Sequence, residues 1–276
     1  LAEDYLGAGL FDRAEKLFAE LRGSETMGAE ALEKLVGIYE REREWLKAVE
    51  VGRELELLSG EKSTRIAHYY CELAEAARVA GDLDLARSYL KSSVRSESGA
   101  LRGSLIRAAI AVEEQDYAQA VRLFEQVIET DRRFIAEIMP GLVNSYRALG
   151  RNDDLEAFLA GLIQRDPTVG RDLAHAAILG AIEDSATLSN CVRDFVLHDE
   201  VLVNFIEPGQ FDATGVTGEQ LSRILVGLRK LALKGARYRC SNCGYGTQRL
   251  IWHCPSCKAW ESVRPIRSFQ FEGLVA

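Results

Sequence analysis

Four of the six cysteines in this 276-residue chain fall into two Cys-x-x-Cys pairs, Cys240 with Cys243 and Cys254 with Cys257. Thiolate sulfur is a soft donor, and four thiolates in a tetrahedron suit zinc or a single iron. Turn chemistry accompanies each pair: Gly244 follows the second cysteine of the first, where a left-handed residue is needed, and Pro255 presets the turn of the second. Two such pairs within eighteen residues predict one metal ion held by all four sulfurs, rather than two disulfides or loosely packed thiols. Cys71 and Cys191 stand alone in apolar helical patterns, as buried thiols do in a reducing compartment. A site closed by four sulfurs leaves no open position for water or substrate, so its role is structural or redox.

No other constellation supplies catalytic chemistry. The chain lacks a Gly-rich phosphate loop, a nucleophile elbow and a His-Glu-x-x-His motif, and His68, His175, His198 and His253 are scattered. The expectation is therefore a protein that is not an enzyme and takes no small-molecule substrate.

The elements that must position the cysteines are mostly helices. Apolar residues recur at spacings of three and four for most of the length, and only five prolines interrupt them. The formal charge of −8 conceals an asymmetry: from Glu219 onward ten Lys/Arg stand against three Glu, a local +7, which leaves −15 for the remainder. A basic module beside an acidic array either docks on it or faces nucleic acid or anionic lipid. No run of eighteen apolar residues occurs, so no membrane span is expected within these residues. The chain opens on Leu1 in what reads as the second half of a helix, the pattern of a fragment whose preceding part has been removed.

Self-similarity sets the fold class. Ala14, Ala48, Ala86 and Ala120 recur at intervals of 34, 38 and 34 residues, each preceded three residues earlier by Phe11, Trp45, Leu83 or Tyr117. Nine residues before each alanine stands Tyr5, Tyr39, Ala77 or Ala111, and the polar run Ser59–Thr64 absorbs the longer interval. This pattern resembles the tetratricopeptide repeat, whose small residue lets its two helices cross closely. The fold class expected is an all-α superhelical solenoid over residues 1–207, its last units degenerate: Leu155 replaces the small residue of the fifth, Asp166-Pro167 closes it, and Ala174–Ile182 with Ser189–Leu197 read as a helix pair before a truncated helix at 201–207. A loop at 208–218, a connecting helix at 219–235, the metal module at 236–267 and a tail at 268–276 complete the reading. Projecting the repeat places Glu33, Glu40, His68, Glu75, Arg78, Arg102, Asn144 and Arg147 toward a concave, partner-binding face.

Two further resemblances rest on quoted residues. Tyr238-x-Cys-x-x-Cys-Gly-Tyr245 and Trp252-x-Cys-Pro-x-Cys257 resemble the two knuckles of rubredoxin, with a much shorter loop between them, so the C-terminal part is expected to be a small rubredoxin-like β module. Helical repeats followed by that module, ending in Cys254-Pro-Ser-Cys-Lys-Ala-Trp260 and Arg264-Pro-Ile-Arg267, are similar to the lipopolysaccharide assembly protein B family of Gram-negative bacteria. That resemblance implies an adaptor on the cytoplasmic side of the cell inner membrane, held by an N-terminal anchor absent from this chain. It also implies protein partners: a membrane AAA protease, the deacetylase that commits precursors to lipid A, and other lipopolysaccharide-assembly proteins. The module is expected to fold back on the acidic repeats through Tyr245, Trp252 and Trp260. Two alternatives stand beside this reading: a nucleic-acid-binding zinc ribbon, motivated by Arg237, Arg239, Arg249, Arg264 and Arg267, and an iron redox protein.

Overall fold

The structure, a computed structural model, describes residues 1–93, 100–182, 184–198 and 218–267. The helix expected at 201–207, nearly all of the 208–218 loop and the 268–276 tail lie outside the described residues. The chain divides into two compact units, Leu1–Ile110 and Ala111–Ala276.

In the first unit α1 (Ala2–Gly7), α2 (Phe11–Leu21), α3 (Gly28–Glu42), α4 (Trp45–Ser59), α5 (Arg65–Val79) and α6 (Leu83–Ser93) pack each on the next in chain order, and α7 (Ala100–Glu113) follows, running across the boundary between the units. Nearest-neighbour packing of antiparallel helices is the signature of a repeat array. The second unit carries α8 (Tyr117–Thr130), a 3-10 turn at Arg132–Phe134, α9 (Ile135–Ala148), α10 (Asn152–Arg165), α11 (Val169–Gly180), α12 (Ala186–His198) and α13 (Gly218–Lys234), then β1 (Tyr238–Cys240), β2 (Gly246–Thr247) and β3 (Val263–Pro265). The protein is thus an all-α repeat scaffold that ends in a small β module.

The periodic alanines sit where helices cross. Ala14, Ala48, Ala86 and Ala120 are all fully buried, and a larger side chain there would force the helices apart. Leu155, at the equivalent place in α10, is buried too, at 4% exposure. Between α8 and α9 the small residue is Gly141: a Cβ on it would lie 2.7 Å from Phe124 Cζ, so a larger residue there would have to displace that ring.

A second periodic device shapes the turns. Gly9, Arg43, Gly81, Gln115 and Gly150 all adopt left-handed φ, between +59° and +84°. In each case the next residue's N–H bonds to the carbonyl five residues back: Leu10 to Tyr5, Glu44 to Tyr39, Asp82 to Ala77, Asp116 to Ala111 and Arg151 to Tyr146. This closes each first helix by the 6→1 bond of a Schellman turn. The accepting carbonyls belong to the residues nine before the alanine, so the repeat signature records a turn as well as a crossing. Tyrosine hydroxyls add cross-helix ties, Tyr39 to Glu15 at 2.8 Å and Tyr69 to Glu40 at 2.6 Å.

Candidate metal centre

The cysteines are positioned by a three-stranded antiparallel sheet of order β2-β1-β3. The central strand β1 pairs Tyr238 with Thr247 on one side and with Pro265 on the other, and Cys240 with Val263. Strand alternation turns Tyr238 and Cys240 into a small core with Cys254 and Val263, leaving Arg239 outward. After each cysteine pair the chain makes the same turn. Gly244 (φ +78°) donates its N–H to the Cys240 carbonyl at 2.9 Å, and Lys258 (φ +61°) donates to the Cys254 carbonyl at 3.0 Å. Cys240 N–H then bonds Tyr245 O, as Cys254 N–H bonds Ala259 O.

These matched knuckles bring four sulfurs together. The Sγ atoms of Cys240, Cys243, Cys254 and Cys257 lie within 4.8 Å of one another, with Cys240 to Cys257 at 3.7 Å and Cys243 to Cys254 at 3.6 Å. A tetrahedron with metal–sulfur bonds of about 2.3 Å has edges of about 3.8 Å, so the donor set fits one zinc- or iron-sized ion. Donors surround the sulfurs as thiolates require. The Ser262 hydroxyl, helped by the amides of Cys243 and Asn242, brings the Cys240 thiol down to about 6 against the opposing effect of burial. The Asn242 side chain and the Ala259 amide lower Cys257, whereas burial pushes Cys254 up to about 11 although the amides of Cys257 and Ser256 point at it. Cys240 and Cys254 are almost fully buried, while Cys243 is exposed and Cys257 partly so.

The module is seated on the helices of its own unit. Trp252 stacks on Phe134 with ring centroids 5.8 Å apart and planes 4° from parallel. The Tyr238 hydroxyl donates to the Glu137 carboxylate of α9, and Arg267 grips the buried Asp172 of α11 through two nitrogens. Arg132 joins this cluster, pairing with Asp166 and approaching Asp172 at 3.9 Å. From α13, Arg229 Nε donates to the Ile178 carbonyl at the end of α11. Of the three aromatics expected at the seat, Trp252 is there. Tyr245 is 41% exposed, and Trp260 stacks on His253 inside the module at 4.5 Å.

Two of the residues projected onto a concave face in the first unit are buried. His68 and Arg102 are 2% and 5% exposed, a correction to that projection. The reason is that α5 is enclosed on every side over Ile66–Cys71, and Arg102 turns inward to pair with Glu72. Glu33 binds Arg65 through both oxygens, Glu40 accepts from Tyr69, and Glu75 pairs with Arg78 on its own helix. In the second unit Asn144 and Arg147 are exposed, and Arg147 pairs with Asp184.

No sequence motif marks Phe134, Glu137 or Asp172 as parts of the seat. Opposite net charge on module and repeats is a signal for Glu137 and Asp172, and none for the uncharged Phe134. Ser262 and Asn242, beside the sulfurs, had none.

Comparison with known proteins follows the same division. The family described as a rubredoxin metal binding domain matches residues 238–265. Over the whole length the chain is similar to lipopolysaccharide assembly protein B of Escherichia coli (strain K12), 32% identical across 97% of this chain and 70% of that protein. It is 30% identical to the protein of the same name from Haemophilus influenzae, across 96% of this chain and 68% of the relative. A solved structure, the APC/C hetero-tetramer Cut9-Hcn1, is similar at a TM-score of 0.32 and 16% identity, over 74% of this chain and 41% of that one.

Proposed function

The chain belongs to the lipopolysaccharide assembly protein B family, and on that premise we propose that it serves lipopolysaccharide assembly as a non-enzymatic adaptor on the cytoplasmic side of the inner membrane. In this reading it brings a membrane AAA protease to the deacetylase that commits precursors to lipid A. The deacetylase is then degraded and lipopolysaccharide output is restrained. The observation that carries the proposal is similarity across 97% of the chain, repeats and metal module together, to relatives named for assembly. The architecture supports it: stacked helix pairs offer long faces to a partner's helix or extended segment. A four-sulfur centre with no open position suits a structural part. No helix among the described residues is long and apolar enough to cross a membrane.

The test follows the deacetylase in cells after translation is stopped. Depleting the adaptor should lengthen the deacetylase half-life several-fold, and the full-length gene should restore it. The same gene carrying Cys240→Ser with Cys243→Ser should not. A half-life indifferent to depletion would overturn the adaptor reading.

A further inference from the structure

The four sulfurs share one centre but not one environment. Cys240 and Cys254, the first of each pair, are 2% and 0% exposed. Cys243 is exposed, and so are its neighbours Ser241, Asn242, Gly244 and Tyr245. A solvent oxidant therefore meets Cys243 before the others, since thiolate oxidation follows access. The sulfur placed to answer it is Cys254 of the other knuckle, 3.6 Å away.

We propose that this centre is a peroxide-responsive switch, in which hydrogen peroxide oxidises Cys243 first, a Cys243–Cys254 disulfide forms across the two knuckles, and the metal ion is released. The step balances. The Cys243 thiolate attacks one peroxide oxygen, the O–O bond breaks, and a sulfenic acid and hydroxide result. The Cys254 thiolate then attacks that sulfur, an S–S bond forms, the S–O bond breaks and a second hydroxide leaves. With two solvent protons the products are one disulfide and two waters; two thiolates have lost two electrons and the peroxide has gained them. Loss of two of four ligands frees the ion. A dithiol reductant supplies the two electrons that reverse the step, and a reducing compartment keeps the oxidised form transient.

Geometry selects the cross-knuckle bond. Closing it needs the two sulfurs to move from 3.6 Å to about 2.05 Å, with both knuckle tips still joined. A bond within the first pair would instead have to reshape the tight turn that Gly244 N–H closes on the Cys240 carbonyl at 2.9 Å. Because the cross-link ties the knuckles together, the sheet pairing of Cys240 with Val263 survives and the site can reload. Trp252, two residues before Cys254 and stacked on Phe134, reports the change.

The whole chain loaded with zinc is treated with hydrogen peroxide beside a chromogenic zinc chelator, with dimedone added in a parallel brief pulse. The expected result is one zinc released per chain, dimedone on Cys243, a mapped Cys243–Cys254 disulfide, and recovery of zinc binding and of tryptophan fluorescence on adding dithiothreitol and zinc. Cys243→Asp keeps a donor atom without an oxidisable sulfur, and in a variant that still holds zinc the release should slow about tenfold or more. The proposal is overturned if zinc stays bound while Cys191 is oxidised, if dimedone first marks another of the four sulfurs, or if the mapped bond lies within a pair. Should Cys243→Asp hold no zinc, the dimedone and disulfide maps of the unmodified chain decide alone.

Discussion

Gly244 and Lys258 occupy equivalent places in the two knuckles, both left-handed, yet only one is glycine. A Cβ at Gly244 would meet no atom within 4 Å, so Gly244→Ala should cost only the conformational penalty, about 1–2 kcal/mol in thermal unfolding of the metal-loaded chain. Lys258→Gly should stabilise by up to about 1 kcal/mol for the converse reason. It gives up an exposed bond from Lys258 Nζ to the Pro255 carbonyl, too solvated to offset that gain. The glycine was readable from the sequence and the lysine was not, because a left-handed lysine leaves no trace in residue type. His175 makes a different prediction. Burial holds it down at about 4, with Asp172 opposing, against 6.5 in an unfolded chain. Between those values the unfolded chain carries the proton and the native one does not. The contribution is therefore complete above pH 6.5 and is lost as pH falls through 4, about 3 kcal/mol in all. Urea titrations at pH 7 and pH 5 should differ by less in His175→Gln than in the parent.

At the scale of an element, the repeat rests on a size limit and a turn. Ala120→Leu should cost about 1–3 kcal/mol by forcing apart the helices that cross there, measurable as a lower denaturant midpoint. Gln115→Gly should stabilise by about 0.5–1 kcal/mol, read as a higher midpoint, since Gln115 bears a steric cost that Gly9, Gly81 and Gly150 avoid at the same place. The first of these was legible in the sequence, because a crossing admits only small residues and so stamps alanine at a fixed period. The turn was legible only in part: Arg43 and Gln115 hold it through the hydrogen bonds to Tyr39 and Ala111 carbonyls, and backbone bonds write nothing into side chains. The projection of His68 and Arg102 outward failed for a related reason. Helical period gives the angle of a residue around its axis, but whether that angle meets solvent or another helix depends on neighbours far along the chain.

At the scale of the molecule, the metal module and the helices beneath it are joined by contacts between residues 95 and 101 positions apart, Arg267 with Asp172 and Tyr238 with Glu137. Nothing local in the sequence announces such pairs; only opposite net charges hinted at them. Asp172→Asn leaves Arg267 without its charged partner at a site where Asp172 is 6% exposed. Faster amide hydrogen exchange in β3 at unchanged zinc stoichiometry is the expected outcome, because the seat loosens while the sulfurs remain in place. The strand order carries one more consequence. β1 precedes both knuckles, and its partner β3 follows them, with Cys240 held opposite Val263. During synthesis the first knuckle leaves the ribosome unable to complete its sheet, and it stays so until Val263–Pro265 has emerged. A nascent chain broken off between Cys257 and Val263 carries all four cysteines but no β3 to brace the strand that holds Cys240.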